Sequence, residues 1–185
     1  MANRNDPRVV RTRRLIQDAF LELIQTRDFK DITIADITEQ ATVNRATFYA
    51  HFKDKYELLE AVVTKRIQKH LKKRLDGKQG LGHENLRLLI VAVCDYHDAL
   101  SRRCREVHQL FAPLVEEQIR KLVLILLGDK AENEMNGIIA DMLSCAIYGA
   151  VNHRYLSTGL ADRDNLISEM LPFLHAGLAA TGNLA

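Results

Sequence analysis

Between Asn44 and Lys55 the chain collects hydrogen-bond donors at close spacing: Arg45, Thr47, Tyr49, His51, Lys53 and Lys55, interleaved with aromatic and small residues. An arginine fork matches guanine O6 and N7, and the methyl groups of Ala46 and Thr47 suit a thymine methyl. Hydroxyls at Thr47 and Tyr49 and the imidazole of His51 can reach phosphate oxygens. Thr33 stands at an expected helix start, where free amides and the positive dipole end favour a phosphate. Lys53 and Lys55 fall at the next helix start, where a macrodipole would not place cations, and a nearby phosphate accounts for them. Arg4, Arg8, Arg11, Arg13 and Arg14 are positioned to clasp a nucleic-acid backbone from the other side. The set contains no Gly-x-Ser-x-Gly, phosphate loop or dinucleotide fingerprint. Binding without catalysis and without a cofactor is the chemistry it suits.

Such donors need rigid carriers, and the surrounding pattern supplies helices. Asp6-Pro7 is a cap followed by proline at the first helical position. Apolar pairs then recur every four residues at Leu15/Ile16, Ala19/Phe20 and Leu23/Ile24. Thr33-Ile34-Ala35-Asp36 fits a capping box and opens a short helix to Ala41. Asn44 caps a second short helix, Arg45 to His51, with Phe48 and Phe52 on its buried side. Asp54 opens a long helix whose Leu59, Val63, Ile67, Leu71 and Leu75 are spaced by four, and Gly77, Gly80 and Gly82 end it. Two short helices joined by a few residues and packed on a longer one form a helix-turn-helix, whose second helix enters the DNA major groove.

Farther on, Leu86, Ile90, Val93, His97 and Leu100 share one helical face. Residues 103–128 read as two helices bent at Pro113. From Ile138 to Val151 nearly every position is apolar, so this helix must be covered on all sides, one of them by a second copy of the chain. A last helix runs from about Arg163 to Ala180. No strand alternation is present, and the fold class is all-α.

Composition agrees: 47% hydrophobic and 27% charged residues, with three Pro and nine Gly, suit a helical globular chain. No apolar run approaches the roughly 18 residues of a membrane span, and the first residues lead into arginines instead of an export signal. Three cysteines, an odd number, read as reduced thiols. A cytoplasmic protein with no membrane partner is expected. Residues 1–75 hold sixteen Lys and Arg against ten Asp and Glu, whereas the remainder hold ten against fourteen. A basic front half points to a polyanion.

The run Ile32-Thr33-Ile34-Ala35-Asp36-Ile37, followed by Ala41 to Leu59 with Phe48-Tyr49-Ala50-His51-Phe52-Lys53-Asp54-Lys55 at its centre, closely resembles the DNA-binding region of the TetR/AcrR family of bacterial regulators. The resemblance covers roughly residues 10–65. It implies that Thr47, Tyr49, His51 and Lys55 hold phosphates or base edges and that Arg45 reads a base. The expected DNA-contact set is therefore Thr33, Asn44, Arg45, Ala46, Thr47, Tyr49, His51, Lys53 and Lys55. The family usually has Gly where this chain has Thr42, a cost of about 1 kcal/mol if the backbone there is left-handed. The resemblance further implies about nine helices, a homodimer formed by the last two, and a ligand pocket in the rear part. The domain division expected is 1–55 for the helix-turn-helix domain, 56–76 for the connecting long helix and 77–185 for a helical ligand-binding and dimerisation domain.

In the rear half, His97, His108 and Asn152 are polar residues at inward positions and the candidate pocket lining, suited to a hydrophobic or aromatic inducer. Ser144, Gly149 and Ala150 are small enough to let two helices approach and are the candidate dimer contacts. Cys94 with His97 and Cys104 with His108 have ligand types suited to zinc, but lack a tight loop to fix geometry, and mid-helix Cys is commonly a small buried hydrophobe. No metal is expected. The reading that follows is a homodimeric repressor released from a palindromic operator by a small molecule. The alternative is a helical adaptor or assembly protein using the same fold for a protein partner.

Overall fold

The computed structural model describes residues 6–99, 105–128, 134–158 and 162–181, and among them the chain is all helix and turn, with no strand. The elements are α1 (Pro7–Thr26), a 3-10 turn (Phe29–Asp31), α2 (Ile34–Gln40), α3 (Arg45–His51), α4 (Lys55–Leu75), α5 (His83–Asp98), α6 (Arg105–Leu127), α7 (Glu134–Thr158) and α8 (Arg163–Ala180). The all-α expectation stands. Eight α-helices are described, close to the nine or so expected, and the residues read as two bent helices are one continuous α6 with Pro113 inside it. Proline removes one helical hydrogen bond, and here its ring lies on the exposed side of the helix. Phe111, Val115, Ile119 and Val123 stay buried on both sides of it, so packing carries the helix through.

Two compact units divide within α4. The first contains α1 to α3, α4 up to Val62 and α6 up to Gln109; the second contains α4 from Val63, α5, α6 from Leu110, α7 and α8. In the first unit, Asp6 caps α1 by accepting from the Arg8 amide at 2.8 Å. Ile16, Phe20 and Ile24 of α1 are buried with Ile32, Ile37, Phe48, Phe52 and Leu58. The capping box at α2 forms as the spacing predicts: the Asp36 amide donates to the Thr33 hydroxyl at 3.2 Å, and the Thr33 amide donates to Asp36 Oδ2 at 2.7 Å.

The turn between α2 and α3 is built on strain. Thr42 has φ +54°, a left-handed conformation. Its amide donates to the Glu39 carbonyl at 3.1 Å and the Val43 amide to the Thr38 carbonyl at 2.9 Å. This pair of bonds is the Schellman arrangement that ends a helix and ordinarily places Gly at the left-handed position. A branched side chain there is costly.

In the second unit, α5 is the central helix. Leu86, Leu89, Ile90 and Val93 are fully buried, and the helix packs on α7 and α8. Asp95 ties three helices: it accepts from Arg74 Nη2 of α4 at 2.8 Å and from Arg163 Nη1 of α8 at 2.9 Å. Burial raises the Asp95 carboxyl and the two guanidinium groups outweigh it, leaving it below its ordinary value. The carboxylate therefore stays charged and both bonds stay charge-assisted.

Replacing Thr42 by Gly should stabilise the protein by about 1 kcal/mol, the left-handed cost less the extra freedom Gly has in the unfolded chain. Urea unfolding reads it as a higher midpoint with unchanged slope. A lower midpoint would show that the Thr42 side chain contributes more than its backbone strain costs.

Candidate nucleic-acid interface

Helix α3 has seven residues, too few to persist alone. Three devices hold it. Asn44 caps its start, accepting from the Thr47 amide at 2.7 Å. Phe48 and Phe52 anchor its underside, fully buried with ring centres 5.9 Å apart. At its end, Arg13 Nη1 donates to the His51 carbonyl at 2.9 Å while the guanidinium lies 4.1 Å over the Phe52 ring. A cation on the last carbonyls suits the negative end of the helix.

With Phe48 and Phe52 turned inward, Arg45, Ala46, Tyr49 and Ala50 form the exposed face, flanked by half-buried Thr47 and His51. Tyr49 is 50% exposed with its ring edge-on to Phe48 at 5.6 Å, so the packed phenylalanine fixes its direction. Arg45 makes no side-chain hydrogen bond or ion pair among the described residues, leaving its fork available. Lys53 is exposed at the turn before α4. His51 has its pKa lowered by burial and by the Arg13 charge. At neutral pH its ring is therefore uncharged, offering one donor and one acceptor.

Two of the other expected cations, Arg13 and Lys55, are engaged within the protein, whereas Arg8, Arg11 and Arg14 are exposed. Arg13 serves α3 from within, as described; the available signal was its place one turn before Ile16 on the buried stripe of α1. Lys55 donates to the carbonyls of Phe29 at 3.0 Å, Lys30 at 3.1 Å and Ile32 at 2.8 Å. A phosphate would have to take one of these donors away. Thr33 is exposed, yet the start of α2 already faces the Asp36 carboxylate. That group is held well below the usual carboxylate range by the Thr33 side chain, then by Arg27, whose Nη1 lies 2.8 Å from Oδ1. Arg4 lies outside the described residues.

The rear candidates are also placed. His97 is fully buried, with the rings of Tyr155 at 5.2 Å, Tyr96 at 5.5 Å and Tyr148 at 5.6 Å. Asn152, between Tyr148 and Tyr155 on α7, has its Oδ1 buried without a hydrogen bond among the described residues. Burial pushes the Tyr148 hydroxyl up to about 12 and the Cys94 thiol up to about 11, so both are protonated at neutral pH. The side chain of His108, and Cys104, lie outside the described residues. Gly149 is exposed and Ala150 half-buried, but Ser144 is buried, its hydroxyl donating to the Asp141 carbonyl at 3.0 Å. In the protomer Ser144 therefore faces inward, away from the surface on which Gly149 lies.

Comparison with known proteins places this geometry among regulators. Residues 16–62 match the model of the bacterial regulatory proteins of the tetR family. The chain is 34% identical over 109 residues to the uncharacterized HTH-type transcriptional regulator TtgW of Pseudomonas putida, covering 58% of this chain and 79% of that one. For other curated relatives the match spans between 16% and 50% of their length. Among solved structures, the TetR family repressor AlkX from Dietzia superposes with a TM-score of 0.65 at 16% identity, covering 93% of this chain and 97% of that one. The dihydroxyacetone kinase operon activator DhaS superposes with a TM-score of 0.61 at 20% identity, covering 92% and 98%.

Removing the free fork gives a direct check on α3. Arg45→Ala should cost roughly 1–3 kcal/mol per half-site on the preferred duplex and relax the preference at one base pair in each half. Binding to a randomised duplex library reads both effects. Equal weakening on every sequence would make Arg45 a phosphate anchor and leave specificity to Ala46, Thr47 or DNA shape.

Proposed function

We propose that this chain, which belongs to the tetR family of bacterial regulatory proteins, binds a palindromic DNA operator as a homodimer and represses transcription until a small molecule releases it. The observation that carries the DNA reading is the exposed face of α3, where Arg45 and Tyr49 stand on a helix fixed from below by Phe48 and Phe52. Arg45 reads a base edge, while Thr47, Tyr49, His51 and Lys53 serve phosphates. Repression is the proposed sign, as for AlkX; DhaS, an activator, shares the fold.

For dimerisation the support lies on α7. Met135, Ile138, Met142, Cys145 and Gly149 recur at spacings of three and four and are all exposed, Met142 at 67%. Phe173 of α8 is 76% exposed. Apolar side chains in one helical row on a protein surface mark a partner, and a self-complementary row suits a two-fold pair. Gly149 and Ala150 let the backbones approach closely.

The inducer reading rests on His97, buried against the rings of Tyr148 and Tyr155, and on Asn152, which lies between those tyrosines on α7; a few polar groups in a mainly apolar interior suit a small-molecule site. A ligand that prefers one arrangement of the two reading heads shifts the population away from the one matching successive grooves. Hydrophobic or aromatic compounds should release the duplex, as read by fluorescence anisotropy. A strongly charged metabolite acting as the sole effector would contradict this.

Gly149→Arg tests the dimer without burdening the protomer. A Cβ added there meets nothing within 4 Å, and the change favours helix. The variant should run as a monomer by light scattering and bind a two-half-site duplex weakly, because the second contact is lost. A variant that remains dimeric would place the interface elsewhere.

A further inference from the structure

Lys55 is the first residue of α4 and one of the cations that spacing alone assigns to DNA. Its ammonium has three N–H donors and no more. All three are engaged, on the carbonyls of Phe29, Lys30 and Ile32 at 2.8–3.1 Å. Its nitrogen also stands 4.6 Å from the centre of the Phe29 ring, and that ring meets Tyr56 edge-on at 5.3 Å.

The three carbonyls belong to the 3-10 turn joining α1 to α2 and to the residue that follows it. Within the turn the Phe29 carbonyl already accepts from the Ile32 amide at 3.3 Å and the Asp31 carbonyl from Arg27 Nη2 at 2.9 Å; Lys55 adds a second donor at Phe29 and serves the Lys30 and Ile32 carbonyls from the same point. Ile32 immediately precedes Thr33, the cap of α2. A bond from Lys55 to the Ile32 carbonyl therefore fixes where α2 begins, and α3 follows α2 through the strained turn at Thr42.

We propose that Lys55 is a positioning residue: it ties the α1–α2 connection to the first turn of α4, setting the α2–α3 pair for DNA, and is not a phosphate anchor. The inference rests on reading α3 as the DNA-contacting helix. A phosphate anchor needs donors directed outward, and these point into the protein. The requirement is also specific to lysine. Arginine spreads its donors over a planar fork and cannot converge them on three oxygens, yet it grips phosphate at least as well as lysine.

Lys55→Arg and Lys55→Gln therefore separate the roles. The unmutated protein is first assayed against a random duplex pool, and the variants are then titrated on the selected duplex over a range of salt, with circular dichroism confirming helix content. The expected result is that Lys55→Arg stays folded and loses about tenfold in affinity for that duplex. For both variants the slope of log affinity on log salt should remain that of the parent. Retained binding by Lys55→Arg, or a slope reduced by about 1 per half-site in Lys55→Gln, would overturn the proposal in favour of a phosphate contact. Lower melting temperature with normal affinity below it would overturn it in favour of a merely structural role. If the unmutated protein selects no duplex, the DNA reading fails, and this inference with it.

Discussion

A helix of seven residues cannot persist on its own hydrogen bonds in water, and everything proposed for α3 depends on how that deficit is met. Phe48 and Phe52 are buried in the first unit with Phe20, Ile37 and Leu58. Burying a side chain of this size contributes roughly 1.5–3 kcal/mol, so the two rings supply the stability the helix lacks. They also fix its rotation, because a helix pinned on one side presents a definite opposite side. Arg45, Ala46, Tyr49 and Ala50 are exposed as a consequence of where the phenylalanines point.

The cations of the first unit divide by the same logic. Arg13 and Lys55 are engaged within it, on the His51 carbonyl and three carbonyls of the α1–α2 connection, and Arg27 pairs with the Asp36 carboxylate. Arg45 and Lys53 remain outside, with Arg8, Arg11 and Arg14. A basic front half thus overstates the charge available to a polyanion, since part of it compensates helix ends and a capping carboxylate. These engaged cations give α1 to α3 a fixed shape, and under the proposed function shape is what would let Arg45 reach one base pair and not its neighbour.

What was legible in the residues was what is local. Caps at Asp6, Thr33, Asn44 and Asp54 depend on neighbours within three residues, and the structure has all four: the Asp54 side chain accepts from the Tyr56 and Glu57 amides. The stripe of α1 and the burial of Phe48 and Phe52 follow from periodicity. The engagement of Lys55 did not, because its carbonyl partners lie 23 to 26 residues earlier and carbonyls leave no mark on sequence. Continuity of α6 through Pro113 was hidden for a related reason: tertiary burial of Val115 and Ile119 overrides a local breaker. Size alone groups Ser144 with Gly149, although the two lie on different faces of α7. The place of His97 among three tyrosines is a product of α5 meeting α7, which spacing within either helix does not reveal.

The central claim, a two-fold pair of reading heads on DNA, is tested most directly by selecting bound sequences from a random duplex pool at moderate salt. The account predicts an enriched palindrome whose half-sites are centred about one helical turn, roughly 10 base pairs, or a small multiple apart. A single unrepeated consensus, or no enrichment at any salt concentration, would contradict it.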